Sequence, residues 1–322
     1  MNGPTTERPS RSPGIPPECL ELLACPLDGG RLRLASEDAL VSEGGRIYPI
    51  VNGVPLLLEE SVLPGDVRAR EVRASFESQW RIFGDETRIF GKTREEMREL
   101  LTGPRMGSAI GAGFYPGRRV LDAGCGHARY VTELARLGSV VVGLDVGSQL
   151  HHALLPADVR DQALLVQGDV RRPPLREGMF DLVFCDGVLH HTPDPRDSFL
   201  ALARLVAPGG AFYVWVYPRG GKLWEGANRA LRALTTRLPH GLQVLAANLL
   251  VPLLLLVPTY SGTRPGKASY RQCAQVIFDW ISPRLQSHHS TEEVVGWFLE
   301  AGFERHEILP VPTGVIGWRD AP

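Results

Sequence analysis

Short apolar runs recur through the middle of the chain, and each stops at an acid or a glycine. Val120-Leu121 leads into Asp122-Ala-Gly124-Cys125-Gly126, and Val140-Val-Val-Gly-Leu144 ends on Asp145. Leu164-Leu-Val166 runs into Gly168-Asp169, and Leu182-Val-Phe-Cys185 ends on Asp186. Runs of this length, bounded by turn residues, predict buried strands. Between them apolar residues return at three- and four-residue spacing, over 130–137 and 195–206, which predicts helices. The second helix is expected to stop at Ala207-Pro-Gly-Gly210, with a fifth strand over 211–217. Ser290-Thr-Glu-Glu293 has the form of a capping box opening a last helix, and 303–309 with 313–318 predict a terminal β-pair. Strands alternating with helices in this way predict an α/β sheet.

The flanks carry a different pattern. Residues 20–34 read as a short helix, a knuckle and a strand, and 47–58 as two short strands around Asn52-Gly53. Residues 59–75, with Pro64-Gly65, read as a charged linker. Phe76, Trp80 and Phe83 lie at helical spacing, and core packing is their expected role. Thr93-Arg-Glu-Glu96 is a capping box for a helix over 94–101. After the fifth strand comes an insertion over 219–289. Ala227, Leu231, Leu234 and Leu238 form one helical stripe there, with Arg229 and Arg232 off it. Residues 242–258 are then almost wholly apolar. They fall short of the roughly 20 residues a bilayer span needs, and Gln243, Asn248 and Pro252 interrupt them, so no transmembrane span is expected. Three readings stand for the insertion: a cap over the active site, a homodimer face, or a helix in interfacial contact with a membrane. A cap would favour an apolar acceptor such as a polyketide, a prenyl compound or a lipid-linked molecule.

Composition narrows this little. The chain has 322 residues, a formal net charge of −1 and five scattered cysteines. That charge gives no general attraction to nucleic acid, and the cysteines form no disulfide framework. Arg264, Lys267 and Arg271 could form a local basic patch. Residues 1–17 are rich in Pro, Ser, Thr and Gly and read as a disordered tail, not a signal peptide. A cytoplasmic protein is the expectation.

Four acids near one edge of a parallel sheet, beside a glycine turn, place a ligand site at the carboxyl ends of the strands. A dinucleotide turn would put a third glycine where Arg129 stands, and Asp122 would repel a pyrophosphate. An acid before the glycines suits an ammonium group or a sulfonium-bearing amino acid. Asp122-Ala-Gly-Cys-Gly126, Asp145, Gly168-Asp169, 180–184 and Leu205-Val-Ala-Pro-Gly-Gly210 together resemble the ordered motifs of class I S-adenosylmethionine-dependent methyltransferases. The most similar branch includes the ubiquinone and menaquinone methyltransferases, and the resemblance spans about 118–217. Ala128 departs from it, where the family usually has glycine.

The resemblance implies a Rossmann-like, seven-stranded, mainly parallel sheet with an antiparallel edge hairpin. It implies S-adenosyl-L-methionine as cofactor and a small-molecule methyl acceptor as partner. Asp122, Gly124 and Gly126 would hold the methionine moiety and Asp145 the ribose hydroxyls. Asp169 and the Val170 amide would meet the adenine, and Asp186 would lie near the amino group. Cys125 and Val146 belong to the same pocket. The base is sought at His190 or His191, after the fourth strand, or at His288-His289 before the last helix. The residues after Asp186 lack the Pro-Pro-aromatic motif used on planar nitrogens, which favours oxygen or carbon as the methylated atom.

Leu23-Ala-Cys25-Pro26 and Tyr48-Pro-Ile-Val-Asn-Gly-Val-Pro-Leu-Leu57 resemble the zinc-ribbon-like domain related to the activator subunit of tRNA, rRNA and protein methyltransferases. Asp28 stands where a C-x-x-C would place its second cysteine, and no cysteine pair follows between 36 and 45. Tetrahedral zinc needs four ligands, so a metal-free module is expected. The expected division is a tail over 1–17, this module over 18–60, a linker and helical cover over 61–105, and the methyltransferase domain over 106–322. An RNA or protein methyltransferase and a non-catalytic binding protein on the same fold are the alternatives.

Overall fold

A computed structural model describes residues 14–59, 67–83, 93–254 and 269–321. Pro64-Gly65, most of the tail, residues 255–258 of the apolar run, and Arg264 and Lys267 lie outside the described residues. The expected tail is too long, because Ile15 and Pro16 are buried and helix α1 begins at once, Pro17–Leu20.

A first sheet of four antiparallel strands follows: β1 (Leu32–Ser36), β2 (Ala39–Ser42), β3 (Ile47–Val51) and β4 (Val54–Pro55). The turn at Asn52-Gly53 has both residues at positive φ, 53° and 82°, the geometry that Asn-Gly favours in a two-residue hairpin. Strand β2 is the element the sequence pattern missed. It is four residues long and joined to β1 by only Glu37-Asp38. Helices α2 (Val67–Phe83) and α3 (Arg94–Thr102) come next, the second opened by the expected capping box at Thr93 and Glu96.

The large sheet has seven strands: β5 (Arg119–Ala123), β6 (Val140–Asp145), β7 (Ala163–Gln167), β8 (Phe180–Asp186), β9 (Val206–Trp215), β10 (Arg305–Ile308) and β11 (Val315–Trp318). Their order is β10-β11-β9-β8-β5-β6-β7, and only β11 runs antiparallel to its neighbours. Residues 207–210, expected as a helix stop, belong to β9 together with Val206, and helix α5 (Pro195–Ala203) ends earlier than the pattern suggested. The order reverses between β5 and β8, and the crevice at that switch point is where such sheets bind ligands.

One layer of the sheet is covered by α4 (Arg129–Arg136) with Leu100 and Leu101 of α3, the other by α5 and α9 (Thr291–Glu300). Between β7 and β8 no α-helix forms, and the N-terminal module fills the gap. Leu23 bridges Leu175, Ala24 N–H donates to Pro174 O at 2.9 Å, and Leu57 N–H donates to Gln167 O at 2.9 Å on the outer edge of β7. The module thereby covers an edge that would otherwise expose unpaired backbone. Leu22, Leu40 and Tyr48 share one core with Leu121, Val142 and Leu164.

The insertion forms α6 (Lys222–Thr235), α7 (His240–Leu254) and α8 (Tyr270–Ile281). Its core, Ala247, Val251, Cys273, Ile277 and Phe278, includes Phe83 of α2. The apolar stripe expected on α6 faces outward, the reverse of the usual amphipathic arrangement. Leu231, Leu234 and Leu238 are exposed, and Asn228, Arg232 and Thr235 are buried. Hydrogen bonding explains the inversion. Arg232 donates to Trp280 O and Pro283 O, and Thr235 Oγ1 donates to Ile281 O at 2.9 Å. These carbonyls lie at and just past the end of α8, where helix acceptors lack partners and a cation is favoured.

Candidate functional site

The loop after β5 bends through Gly124 (φ 84°), Gly126 (φ 54°) and Ala128 (φ 58°). These are left-handed conformations that glycine adopts without cost and alanine does not. A Cβ on Gly124 would collide with Val188, and one on Gly126 would lie 2.6 Å from the Trp80 ring. The loop is pinned to the neighbouring strand, with Gly124 N–H and Cys125 N–H both donating to Leu144 O at 2.7 and 3.1 Å. Cys125 is buried, and burial pushes its thiol well above the usual range.

Asp145, at the tip of β6, is fixed by its surroundings. Its Oδ2 accepts from Gly126 N–H at 2.9 Å, and its Oδ1 from Gly147 N–H at 2.9 Å and Gln149 Nε2 at 3.1 Å. Burial raises its pKa, and the two backbone donors oppose that rise. Val146 O accepts from Gln167 Nε2 at 3.1 Å. Asp122 is 2% exposed, and its Oδ2 has no hydrogen-bond partner. Burial, followed by the nearby Asp186 and Asp145, raises its pKa well above the carboxylate range. A buried carboxylate with an empty acceptor is costly, and a cationic ligand would relieve it.

The structure thus places Asp122, Gly124, Cys125, Gly126 and Asp145 around one turn, with Asp186 close enough to act on Asp122. Asp169 and Val170 are buried at the end of β7. There Arg171 takes both Asp169 oxygens, from Nε at 3.0 Å and Nη2 at 2.7 Å. Any adenine contact at Asp169 would share the carboxylate with that guanidinium.

Asp186 has partners the sequence did not announce. Its Oδ1 accepts from Arg105 Nη2 at 2.7 Å and Tyr213 Oη at 3.1 Å, and its Oδ2 from Tyr130 Oη at 3.4 Å. Arg105 also donates from Nε to Tyr213 Oη at 3.0 Å and lies 5.6 Å over the Trp215 ring. Burial opposes its charge, but Asp186 and Tyr213 outweigh burial and hold the guanidinium protonated. Arg105 sits in a Gly-Pro-Arg turn after α3, a stretch with no periodic signal. Only its arrival beside a strand tip from an element far off in sequence marks it.

The histidines separate by their contacts. His190 is buried and stacked 3.8 Å from Tyr217, and its Nδ1 accepts from Tyr217 N–H at 3.3 Å. His289 bonds Ser287 Oγ at 2.8 Å and pairs with Glu293 at 3.5 Å, and His288 bonds Glu225 at 2.9 Å. His191 donates from Nδ1 to Leu285 O at 3.0 Å, and its Nε2 has no hydrogen bond among the described residues. That bond fixes the tautomer, leaving the Nε2 lone pair as a proton acceptor. Burial lowers the pKa of all four rings, so they are neutral near pH 7.

Helix α2 roofs this ground. The Phe76 ring meets His191 edge-on at 5.0 Å, Glu77 accepts from Ser148 N–H at 2.8 Å, and Trp80 packs on His127 at 5.4 Å. Of the three aromatic residues expected only to pack, Phe83 alone lies purely in a core. The opposite side of α2 is tied to the insertion, by Ser75 to Ser282 at 2.8 Å, Ser78 to His240 at 2.7 Å and Gln79 to Asp279 at 3.1 Å.

Residues 121–214 match the family described as "Methyltransferase domain". The ubiquinone biosynthesis O-methyltransferase of Escherichia coli O7:K1 is 36% identical over 133 residues, covering 40% of this chain and 55% of the relative. The same figures hold for that of Escherichia fergusonii. The chain thus spans about half the length of these curated relatives. Among solved structures, a SAM-dependent methyltransferase of Thermotoga maritima aligns over 77% of this chain and 99% of its own, at 14% identity and a TM-score of 0.43. The 1,6-didemethyltoxoflavin-N1-methyltransferase of Burkholderia thailandensis aligns over 59% and 74%, at 19% identity and a TM-score of 0.39.

Proposed function

We propose that the protein is an S-adenosylmethionine-dependent methyltransferase acting on a small, apolar molecule at oxygen or carbon. One observation supports this reading: the methyltransferase-domain match begins within the buried strand that carries Asp122, whose free oxygen lies beside a glycine turn packed so closely by Val188 and Trp80 that a Cβ on Gly124 or Gly126 would collide. The residues fit the cofactor. Asp122 offers an unused acceptor for an ammonium group, and the Gly124–Gly126 bend has no Cβ atoms of its own at either glycine, so that Val188 and Trp80 pack directly on its backbone. Asp145, already oriented by two amides, would take the ribose hydroxyls, with Val146 beside it and Asp169 and Val170 at the adenine. When bound, the cofactor supplies a methyl group on a positively charged sulfur.

The chain's own contribution is alignment, exclusion of water and proton removal. Phe76 and Trp80 close the cleft from above. Arg105, Tyr130 and Tyr213 brace Asp186 at the switch point, so its carboxylate is held in one place. Holding acceptor and donor in line can supply about 7–11 kcal/mol of the barrier. His191 is assigned as the base for a hydroxyl acceptor, because its Nε2 has no hydrogen-bond partner among the described residues, as is also true of His190 and His288 Nε2, and of these three rings its own alone meets Phe76 of α2. General-base catalysis of this kind contributes about 10²–10⁴-fold.

Calorimetry with S-adenosylmethionine tests the cofactor reading. Wild type should bind, and Asp145→Ala should weaken binding about 100-fold, the loss of two charge-assisted hydrogen bonds. A folded wild type that ignores the cofactor would end this reading. For the base, His191→Asn should leave cofactor affinity unchanged and lower turnover at least about 100-fold. An unchanged turnover would remove the base from His191.

A further inference from the structure

We infer that the outer face of α6 and α7 docks on an anionic lipid surface. Leu223, Leu234 and Leu249 are 92%, 71% and 69% exposed, and Leu231, Leu238, Leu242 and Leu245 are exposed with them. On α6 and its end they recur at 231, 234 and 238, and on α7 at 242, 245 and 249, one stripe per helix. Neither stripe is needed to hold the fold. Helix α6 buries Asn228, Arg232 and Thr235, and α7 buries Gln243, Ala247 and Val251. A soluble surface rarely gathers so many leucines in one stretch without a partner.

Charge selects the partner. Residues 226–278 contain six Arg or Lys and no Asp or Glu, in a chain whose formal net charge is −1. The insertion is therefore cationic and the remainder acidic. Lys222, Arg229 and Arg237 are exposed among the leucines. The acid that precedes this stretch, Glu225, is taken up by Gly220 N–H at 2.8 Å and His288 at 2.9 Å. Leucines at the acyl boundary with cations at the headgroups make the pattern of a helix lying in a membrane interface. RNA would engage the cations and leave the leucines in water. A second copy would set like charge against like. No helix among the described residues is long and apolar enough to cross a membrane, so the contact lies in the plane of the surface.

The location gives this contact a use. Helices α7 and α8 share a core with Phe83, and earlier turns of α2 carry Phe76 and Trp80 against His191 and His127. A bilayer on the outer face would rest on the same body that roofs the cleft, beside a reservoir of apolar acceptor. That use depends on the methyl-transfer reading, whereas the docking does not.

Flotation of the full chain with vesicles tests it without any assay of activity. The protein should float with vesicles of equal phosphatidylcholine and phosphatidylglycerol, and fall away with phosphatidylcholine alone or in high salt. The triple variant Leu234→Ser, Leu245→Ser, Leu249→Ser should lose at least about tenfold in partitioning. Arg229→Gln and Arg237→Gln should each lose about fivefold. All should keep the wild-type melting temperature and cofactor affinity. Three results would overturn the inference. One is equal recovery with neutral and anionic vesicles. Another is a dimer, seen by sedimentation, that the leucine variant dissociates while wild type ignores vesicles. The third is binding to polyuridylate that follows the arginines and disregards the leucines.

Discussion

The sheet edge and the helical roof obey opposite rules within one chain. In β5 to β8 the apolar residues are inside, and the acids Asp122, Asp145 and Asp186 stand at or next to the strand ends. In α6 the apolar residues are outside and an arginine is inside. The sheet is held by ladders and a core on both faces, which only distant packing can undo. The roof is held by a few side-chain hydrogen bonds to the end of α8 and by one small core shared with α2. The difference separates what each part spends its polar groups on. The sheet gathers its acids at one edge, where Asp122 keeps an oxygen without a partner, and the roof uses its polar groups to stay attached.

The sharpest way to break that comparison is at Arg232. Burial lowers its pKa to about 10, and its guanidinium is held by the carbonyls of Trp280 and Pro283. Arg232→Ala removes both donors and leaves two carbonyls short of partners, a loss of about 3 kcal/mol. Hydrogen exchange should show α6 and the end of α8 opening while β5 and β8 keep their protection. Equal loss in both regions would mean that roof and sheet are one cooperative unit. Leu234→Gln, on the exposed stripe of the same helix, should change stability by less than about 0.5 kcal/mol.

Acid sharpens the comparison, because His288 and His289 at the end of the insertion respond with the opposite sign to Asp122 and Asp145 in the sheet. Burial lowers the pKa of His190, His191, His288 and His289. Their folded values lie below the unfolded value of about 6.5, so the unfolded chain takes up protons first. The stability they confer is full above that pH and is lost as pH falls below it. The limit is about 1.4 kcal/mol per pH unit for each group. Asp122 and Asp145 are raised, so their penalty is present when they are ionised and is relieved as pH falls towards the ordinary carboxylate value. Between pH 7 and about 5.5 the segment around His288 and His289 should therefore lose exchange protection before β5 and β6 do. Loss of the sheet first would contradict the burial of these rings.

The same contrast decides what the sequence could reveal. Strands β5 to β8 were legible because each is a buried parallel strand whose apolar run is closed by an acid or a turn residue. Asp122 and Asp145 were legible for the same reason, as polar residues at the ends of apolar runs. Arg105 was not, since it is local to nothing and acquires its place only when the turn after α3 reaches Tyr213 of β9 and Asp186 of β8. The inversion of α6 was invisible because periodicity reports a stripe without saying which side faces the core. Strand β2 escaped because four residues and a two-residue turn are too short to stand out. Residues 207–210 read as a helix stop and are a strand, since Pro208 and Gly209 sit at the β9 end that pairs only partly with β8.

The smallest test lies where the sheet itself departs from ease. Ala128 caps the N-terminus of α4 in a left-handed conformation, φ 58°, and it is buried. For an L-residue with a Cβ that conformation costs about 1–2 kcal/mol, and glycine is free of the cost. Ala128→Gly removes a buried methyl group and adds freedom to the unfolded chain, which together return part of the gain. The balance should be a stabilisation of roughly 0.5 kcal/mol, read as a rise in melting temperature with cofactor affinity unchanged. A fall in melting temperature would mean that the methyl group packs better than the strain costs, as in a core position. If affinity fell while the fold held, the strained alanine would be part of what keeps the Gly124–Gly126 turn rigid for its ligand.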